Sequence, residues 1–494
     1  MYLRAGVFSL GLLLLSRVLG LLRESAQAAA FGSTGMGDAV IVMFTLPDLL
    51  VGILVSGALA YVLLPVWAQQ SAGAQAAGQK KIAYALVCGG LALGALVWLF
   101  RIEAVQALAP GLAGDMKAAS AGALGWSAVV LPLAMLAALW VTRLQHERDF
   151  VGMYAGNLMV NLVLVAGLFV VAKNASPAIS ALIFLGVCLV IAMLGRLAWL
   201  AWRLPARPRP SAVAQATGIP PASVWLWAAL SSGLLLAFPL VARSLASSAG
   251  EGALASFNYA WKLIELPLVL AVQLVASLAF PAITRTKAGS SERQQAVRLA
   301  FLIAWTLACA AVAVVATFSW PIASMMFGWG RMGADSLEVI AQWSAIGIWS
   351  LLPQALMAVL LTVLAANGRM QTAVWVMAGG LTVLLLTGWL RSFNGHAVMW
   401  LLNAVFAAMA ALMVLFERRN IMGHVPYFAC LVPLLVCSGL VSLKPWFISF
   451  NFTLILVFCA LFGLLVTGSA VMASPVLRGL LQEKINRKST AVNT

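Results

Sequence analysis

Two arginines stand inside one apolar run. Arg17 and Arg23 lie in "LLSRVLGLLRES", with Ser16 before the first and Glu24 after the second. Charges at a bilayer centre cost about 2.5–3.5 kcal/mol on insertion scales, so they face cavities and carry function. Seven residues separate Arg17 from Glu24, which places both on about the same helical face, two turns apart. Asp38 follows the glycine-rich turn "FGSTGMGD", and Asp48 follows Pro47 deep in an apolar run. In "AWKLIELP", Lys262 and Glu265 are three residues apart, a spacing that permits an intrahelical pair. A cavity with more cations than anions selects anionic cargo. Guanidinium groups take phosphate or diphosphate oxygens in bidentate fashion, and lysine takes them as a point charge.

Plainer readings compete for each residue. Arg23 with Glu24 also reads as an outer-surface pair, and Lys262 with Glu265 as a salt bridge without a ligand. Asp38 at a helix start is half explained as a cap on the helix dipole. Asp48 is either neutral or paired with Arg17 or Arg23. Arg243 and Arg196, near the ends of their own apolar runs, read as snorkelling side chains. Catalysis finds little support. His146, His396 and His424 sit at run ends, with no paired carboxylates, no metal spacing and no phosphate loop. The six cysteines (Cys88, Cys188, Cys309, Cys430, Cys437 and Cys459) lie in apolar runs without CxxC and read as small buried hydrophobes. We expect a non-enzyme with no metal and no cofactor.

The elements that position these groups follow from composition. Of 494 residues, 63% are hydrophobic and 9% charged, against about 25% charged in a soluble domain. The chain is an all-α polytopic membrane protein. About 20 apolar residues make a span, and such runs fall near 3–30, 37–68, 82–107, 118–145, 152–172, 178–203, 222–247, 253–284, 296–318, 337–366, 371–391, 396–417, 426–444 and 449–473. That predicts fourteen. With the N-terminus inside, the inner segments hold 19 Lys and Arg and the outer ones six. Both termini are therefore expected in the cytoplasm, with the first span uncleaved. The net charge of +16 is explained by inner loops, so nucleic acid is not an expected partner.

A proline- and arginine-rich stretch after the sixth span reads as a cytoplasmic linker, residues 205–221. Beyond it the pattern repeats. Asp38 precedes Pro47 by nine residues, Asn258 precedes Pro267 by nine, and the two prolines are 220 residues apart. Each is followed by a second proline, Pro65 or Pro281, at the inner end. The expected organisation is two pseudo-symmetric six-helix lobes, 1–204 and 222–420, two extra helices over 421–475 and a basic cytoplasmic tail over 476–494. Repeats of this kind build two lobes around a transport path.

The segments "SRVLGLLRESAQAAAFGSTGMGDAVIVMFTLPDLL", "GALAYVLLPVWAQ" and "SFNYAWKLIELPLVLAVQLVASLAFPAIT" resemble signatures of the MurJ/MviN lipid II flippases, within the multidrug/oligosaccharidyl-lipid/polysaccharide exporter superfamily. The resemblance implies a monomeric bacterial inner-membrane protein. It would move undecaprenyl-diphosphate-linked disaccharide-pentapeptide to the outer leaflet by alternating access, with the two extra helices housing the lipid tail. It places Arg17, Arg23 and Lys262 as diphosphate-binding cations and Ser16, Glu24, Asp38, Asp48 and Glu265 as cavity or coupling residues. Departures are visible. Where the family reads Pro-Asn-Leu-Leu-Arg-Arg, this chain reads Pro47-Asp48-Leu49-Leu50-Val51-Gly52, so an arginine is missing. The family's arginine in the eighth span is Lys262, and the spans 222–247 and 371–391 lack the acids of its sodium site. The departures leave open a flippase for an exopolysaccharide or O-antigen unit on the same carrier. An ion-coupled drug antiporter fits less well, since export of organic cations favours an acidic cavity, and a lipid-modifying enzyme lacks its catalytic groups.

Overall fold

A bilayer offers no water to satisfy backbone polar groups, so each long apolar run must close its hydrogen bonds internally as a helix. The computed structural model describes residues 2–112, 114–174, 178–204, 220–273, 290–390, 393–417, 427–447 and 452–479, with isolated positions at 275, 279, 283, 286 and 482. The described residues form helices and short connections, with no strand among them. Most of the expected linker, Pro281 and most of the tail lie outside the described residues. Eleven described helices are long and apolar enough to cross a membrane. The three other expected spans also contain helices: Tyr2–Phe31, Ala253–Pro267 with its π continuation Leu268–Gln273, and the shorter Tyr427–Ser442.

By contacts the chain falls into two units, the first being Met1–Asn258 with Met326–Ser336 and Ser392–Asn394. Its helices are α1 (Tyr2–Phe31), α2 (Gly35–Ile53), α3 (Leu59–Gln69), α4 (Ala72–Leu99), α5 (Arg101–Leu108), α6 (Gly114–His146), α7 (Phe150–Lys173), α8 (Ala178–Arg203), α9 (Ala222–Ser247) and the start of α10 (Ala253–Pro267). Helix α9, assigned from sequence to the second lobe, thus groups by contact with the first. Small residues allow the helices to approach. On α4, a Cβ at Gly90 would sit 2.6 Å from the Pro132 Cα, and one at Gly94 would sit 2.6 Å from the Ala128 carbonyl oxygen of α6. This is the small-xxx-small packing of membrane helices, where close backbone approach replaces a hydrophobic drive.

Both repeat-related prolines disturb their helices. Pro47 lies inside α2, which passes through a π segment, Leu54–Ala58, into α3; Pro267 ends α10, and a π segment follows at once. A ring without an N–H breaks the i to i−4 ladder, and single π turns absorb such breaks. The sequence repeat is therefore also a repeat of local irregularity.

The second unit comprises Tyr259–Met325, Leu337–Arg391 and Gly395–Thr494. Its central helix, Ser291–Thr317, buries Val297, Phe301, Ala304, Ala308 and Val312 along one face. Trp305 donates to the Cys430 carbonyl at 2.8 Å, and Phe318 stacks with Phe447 and Phe462. Cys188, Cys309 and Cys437 are buried and Cys430 and Cys459 half-buried, as small hydrophobes should be. Cys88 departs from that expectation. It is exposed on α4, whose own apolar surface faces outward over most of its length.

At the turn between α6 and α7, Asp149 caps α7. Its Oδ1 accepts from Gly152 N at 2.9 Å, and both oxygens take the Arg203 guanidinium at 2.8 Å. Burial opposes this charge, yet the Arg203 fork and the Gly152 N–H hold the carboxyl below its ordinary range. A depressed folded value means the contribution is whole above the unfolded carboxylate range, around pH 4, and is lost as acid passes the folded value. Asp149→Ala should lower stability by about 1 kcal/mol at neutral pH. Thermal unfolding of both proteins should show the difference shrinking below about pH 4.

Candidate transport site

The polar groups of α1, α2, α9 and the start of α10 meet in one chain of hydrogen bonds within the first unit. Arg23 donates to Glu24 Oε1 and to Asp48 Oδ2, each at 3.1 Å. Its guanidinium carbon also lies 5.4 Å from the Phe44 ring centre, a cation–π distance. Glu24 Oε2 accepts from Asn258 Nδ2 at 2.9 Å. Asn258 Oδ1 accepts from Arg243 at 2.9 Å, and Arg243 donates onward to Thr45 Oγ1 at 2.7 Å. The Arg23 and Glu24 side chains are 12% and 6% exposed, whereas Asp48 is 55% exposed. An outer-surface pair is therefore the wrong description of Arg23 and Glu24. They form a largely buried ion pair, and Asp48 finds its partner in Arg23 rather than Arg17.

The helices place these groups for simple reasons. Arg23 and Glu24 are adjacent, so they flank one edge of α1. Asp48 sits one residue beyond Pro47, and Thr45 lies three residues before Asp48, nearly one turn back along α2. Thr45 also donates to the Ile41 carbonyl at 2.6 Å, which leaves its oxygen to accept Arg243.

Asp38 does a different task from the one its position suggests. Thr34 caps α2, its hydroxyl accepting from Gly37 N. The Asp38 carboxylate instead accepts from Gly252 N at 2.8 Å and Ala255 N at 2.7 Å, the open donors at the start of α10. Glu251 returns the favour, accepting from Gly35 N at 3.0 Å at the start of α2. Two repeat-related helices thus cap each other. Gly252 has φ +79°, and a Cβ there would lie 2.2 Å from the Ser33 carbonyl oxygen, so only glycine fits this crossing.

The remaining expected residues divide. Ser16 is buried and accepts from Asn157 Nδ2 of α7 at 2.8 Å. Arg17 is exposed on α1, its charge within reach of Tyr154, and it makes no hydrogen bond or ion pair among the described residues. Lys262 and Glu265 form the expected intrahelical pair at 2.8 Å in the second unit, each about 30% exposed. Thr45 and Asn157 escaped the sequence reading, Asn258 entered it only as a mark of the repeat, and Arg243 was read there as a snorkelling side chain. Arg243 was visible as an intramembrane cation, but Asn258 and Thr45, to which it donates, are uncharged and leave no sequence mark of the contact. Arg196 also fails to snorkel; it is 4% exposed.

The arrangement presents guanidiniums inside a helical membrane unit, held by carboxylates and amides, and no group of three or more His, Cys, Asp or Glu able to hold a metal occurs among the described residues. Such groups recognise oxyanions. The profile of the family described as lipid II flippase MurJ matches residues 27–472, most of the chain. This chain belongs to that family. It is 24% identical to the lipid II flippase MurJ of Burkholderia cenocepacia over 437 residues, 83% of this chain and 82% of the relative. To a probable lipid II flippase MurJ of Rhizobium meliloti it is 26% identical over 352 residues, 67% of this chain and 64% of that one. Among solved structures, it resembles lipid II flippase MurJ in an inward closed conformation with TM-score 0.79, at 14% identity, covering 96% of this chain and 100% of that one. An inward-facing multidrug resistance MATE transporter of the MOP superfamily matches with TM-score 0.64 at 14% identity, over 82% and 95% of the two chains. At such identities these structures speak for the fold alone, an all-helical one.

Proposed function

We propose that this chain moves undecaprenyl-diphosphate-linked peptidoglycan precursor, lipid II, from the inner to the outer leaflet of a bacterial cytoplasmic membrane by alternating access. The observation that carries the reading is the buried Arg23–Glu24 pair of a MurJ-family chain, extended through Asn258 to Arg243. A diphosphate brings two or more negative charges into the bilayer, and fixed guanidiniums offset the loss of its hydration. Arg17, Arg23 and Lys262 bind the diphosphate. Ser16, Glu24, Asp38, Asp48 and Glu265 shape the cavity or couple its movement. The protein is a monomeric transporter rather than an enzyme and works without a cofactor. Fourteen spans, two six-helix lobes with two extra helices, and cytoplasmic termini complete the proposal.

A second reading is favoured by one observation. Asp48 stands against Arg23 where the family reads asparagine, and this departure suits a relative that carries an exopolysaccharide or O-antigen unit on the same diphosphate carrier. Complementation separates the two. In cells depleted of their own lipid II flippase, expression of this chain should restore growth. Lys262→Arg should restore it equally, and Lys262→Glu should fail at normal protein level. No rescue by the well-expressed parent chain would reject lipid II as cargo. Growth with the glutamate variant would make Lys262 structural.

A further inference from the structure

Arg196 is a charged side chain of the first unit that the site above leaves unused. It lies on α8 against Gly156 of α7, where a Cβ would come 3.5 Å from its Cγ. The residue is 4% exposed, and its Nε is buried without a hydrogen-bond partner among the described residues. A guanidinium held in this way is strongly unfavourable unless a partner arrives in another state. Helix α8 packs on α2 here: Val51, one turn beyond Asp48, lies against the core that Ala192 and Met193 help to form one turn before Arg196, and Asp48 is the carboxylate whose charge acts on Arg196.

Arg23 shows the opposite imbalance. Glu24 and Asp48 both bond to it at 3.1 Å. A diphosphate arriving at Arg23 must displace one of them. Glu24 is 6% exposed and is fixed by Asn258, whereas Asp48 is 55% exposed and has no second hydrogen-bonded partner among the described residues. Asp48 is the group that leaves. An unpaired carboxylate inside a membrane protein costs free energy, and the unpartnered guanidinium within its electrostatic reach removes that cost.

We propose that Asp48 passes from Arg23 to Arg196 when the cargo's diphosphate binds Arg23, which makes Arg196 a positioning residue for cargo recognition. The proposal rests on the diphosphate reading of the site. It explains why a cation is buried on α8 without a partner: the partner is lent to Arg23 in the empty protein. Arg23 is thereby kept neutralised until cargo comes, and neither state leaves both Asp48 and Arg23 uncompensated.

The test is binding of undecaprenyl diphosphate to the full chain in lipid nanodiscs, with thermal unfolding as the check on folding. Arg196→Met should weaken binding about tenfold, the scale of one lost charge-assisted hydrogen bond. Arg196→Lys should stay within about twofold, because the charge that receives Asp48 is kept. Asp48→Asn alone should tighten binding several-fold, since no anion then has to leave Arg23. Added to Arg196→Met, it should restore binding to about the parent level. A buried arginine with a merely structural role would not be rescued by removing a charge on α2. Parent-like binding by folded Arg196→Met, or failure of Asp48→Asn to rescue it, overturns the hand-over. If Arg196→Met does not fold, the Asp48→Asn single variant decides, and weaker binding than the parent overturns the proposal. If the parent chain itself does not bind undecaprenyl diphosphate, or binds it equally with Arg23→Ala, the diphosphate reading falls and the hand-over with it. Tight parental binding that ignores Arg196 defeats the hand-over alone.

Discussion

Arg23→Ala is expected to abolish leaflet translocation of lipid-linked precursor, leaving flippase-depleted cells without growth at protein levels close to the parent. Two losses coincide in this variant. The cation that would meet the diphosphate disappears, and Glu24, whose side chain is 6% exposed, loses its guanidinium partner while keeping the Asn258 amide. Removing one member of a buried ion pair costs about 3–5 kcal/mol when the other is left unpaired, and the Asn258 amide that still donates to Glu24 limits the loss. Arg23→Lys separates the two effects. Lysine restores the charge but, as a point donor, cannot span Glu24 and Asp48 while lying flat over Phe44. It should retain protein level and recover part of the transport. Arg17→Ala should also abolish transport with less effect on stability, because Arg17 is exposed and makes no ion pair among the described residues. Normal growth with well-expressed Arg23→Ala removes Arg23 from the site.

What was legible in the sequence was the part that apolar length and charge encode. Runs of twenty apolar residues leave no choice but helix, and all fourteen expected stretches contain helix. The glycine-rich turn and the Lys262–Glu265 pair were also visible, because each depends on local spacing. Less legible was where a span tilts or bends. The π segments after Pro47 and Pro267 follow from proline chemistry, yet their distance from the proline differs, seven residues in one case and one in the other. Local sequence does not set that distance; packing against neighbours does. Gly57 shows the constraint, since a Cβ there would collide with Ser232 of α9 at 2.0 Å. The grouping of α9 with the first unit was hidden for the same reason.

The site itself was half legible. Charged residues in apolar runs announce themselves by their cost, so Arg17, Arg23, Glu24 and Asp48 were found on type alone. Their pairing was not, because helix α1 alone offers Arg17 and Glu24 on one face and gives no reason to prefer Arg23 with Asp48. That preference comes from α2 lying beside α1. Asn258, Thr45 and Asn157 are small polar residues that cost little to bury once bonded, so nothing in their sequence surroundings marks them. Asp38 was misjudged in a different way. Its position one turn into α2 fits a dipole role, and only the crossing of α10 shows that its oxygens serve another helix's donors.

Transport is expected to depend on the membrane potential and to be indifferent to exchanging sodium for potassium. The spans bearing the site hold Arg17, Arg23, Arg196 and Arg243 against Glu24, Asp38 and Asp48, one positive charge in excess, so alternating access by these spans would move positive charge in the empty protein. One unit charge crossing 100 mV is worth about 2.3 kcal/mol, which is a factor of about fifty in a population. An interior-negative potential therefore draws the empty site toward the cytoplasm, where cargo is loaded. A bound diphosphate more than offsets that charge, so an interior-negative potential no longer holds the loaded site inward. The cycle thus takes its direction from the difference between the two states, and no ion has to travel with the cargo. A sodium site built from acids in the spans 222–247 and 371–391 has no ligands to draw on, because neither contains Asp or Glu. Proteoliposomes loaded with fluorescent lipid II give the measurement, with the potential set by a potassium gradient and valinomycin. Collapsing the potential should slow translocation by an order of magnitude or more, about the factor above. Replacing sodium at constant potential should leave the rate unchanged. Translocation that survives loss of the potential but stops without sodium would mean that an ion, and not the guanidinium charge, drives the turn.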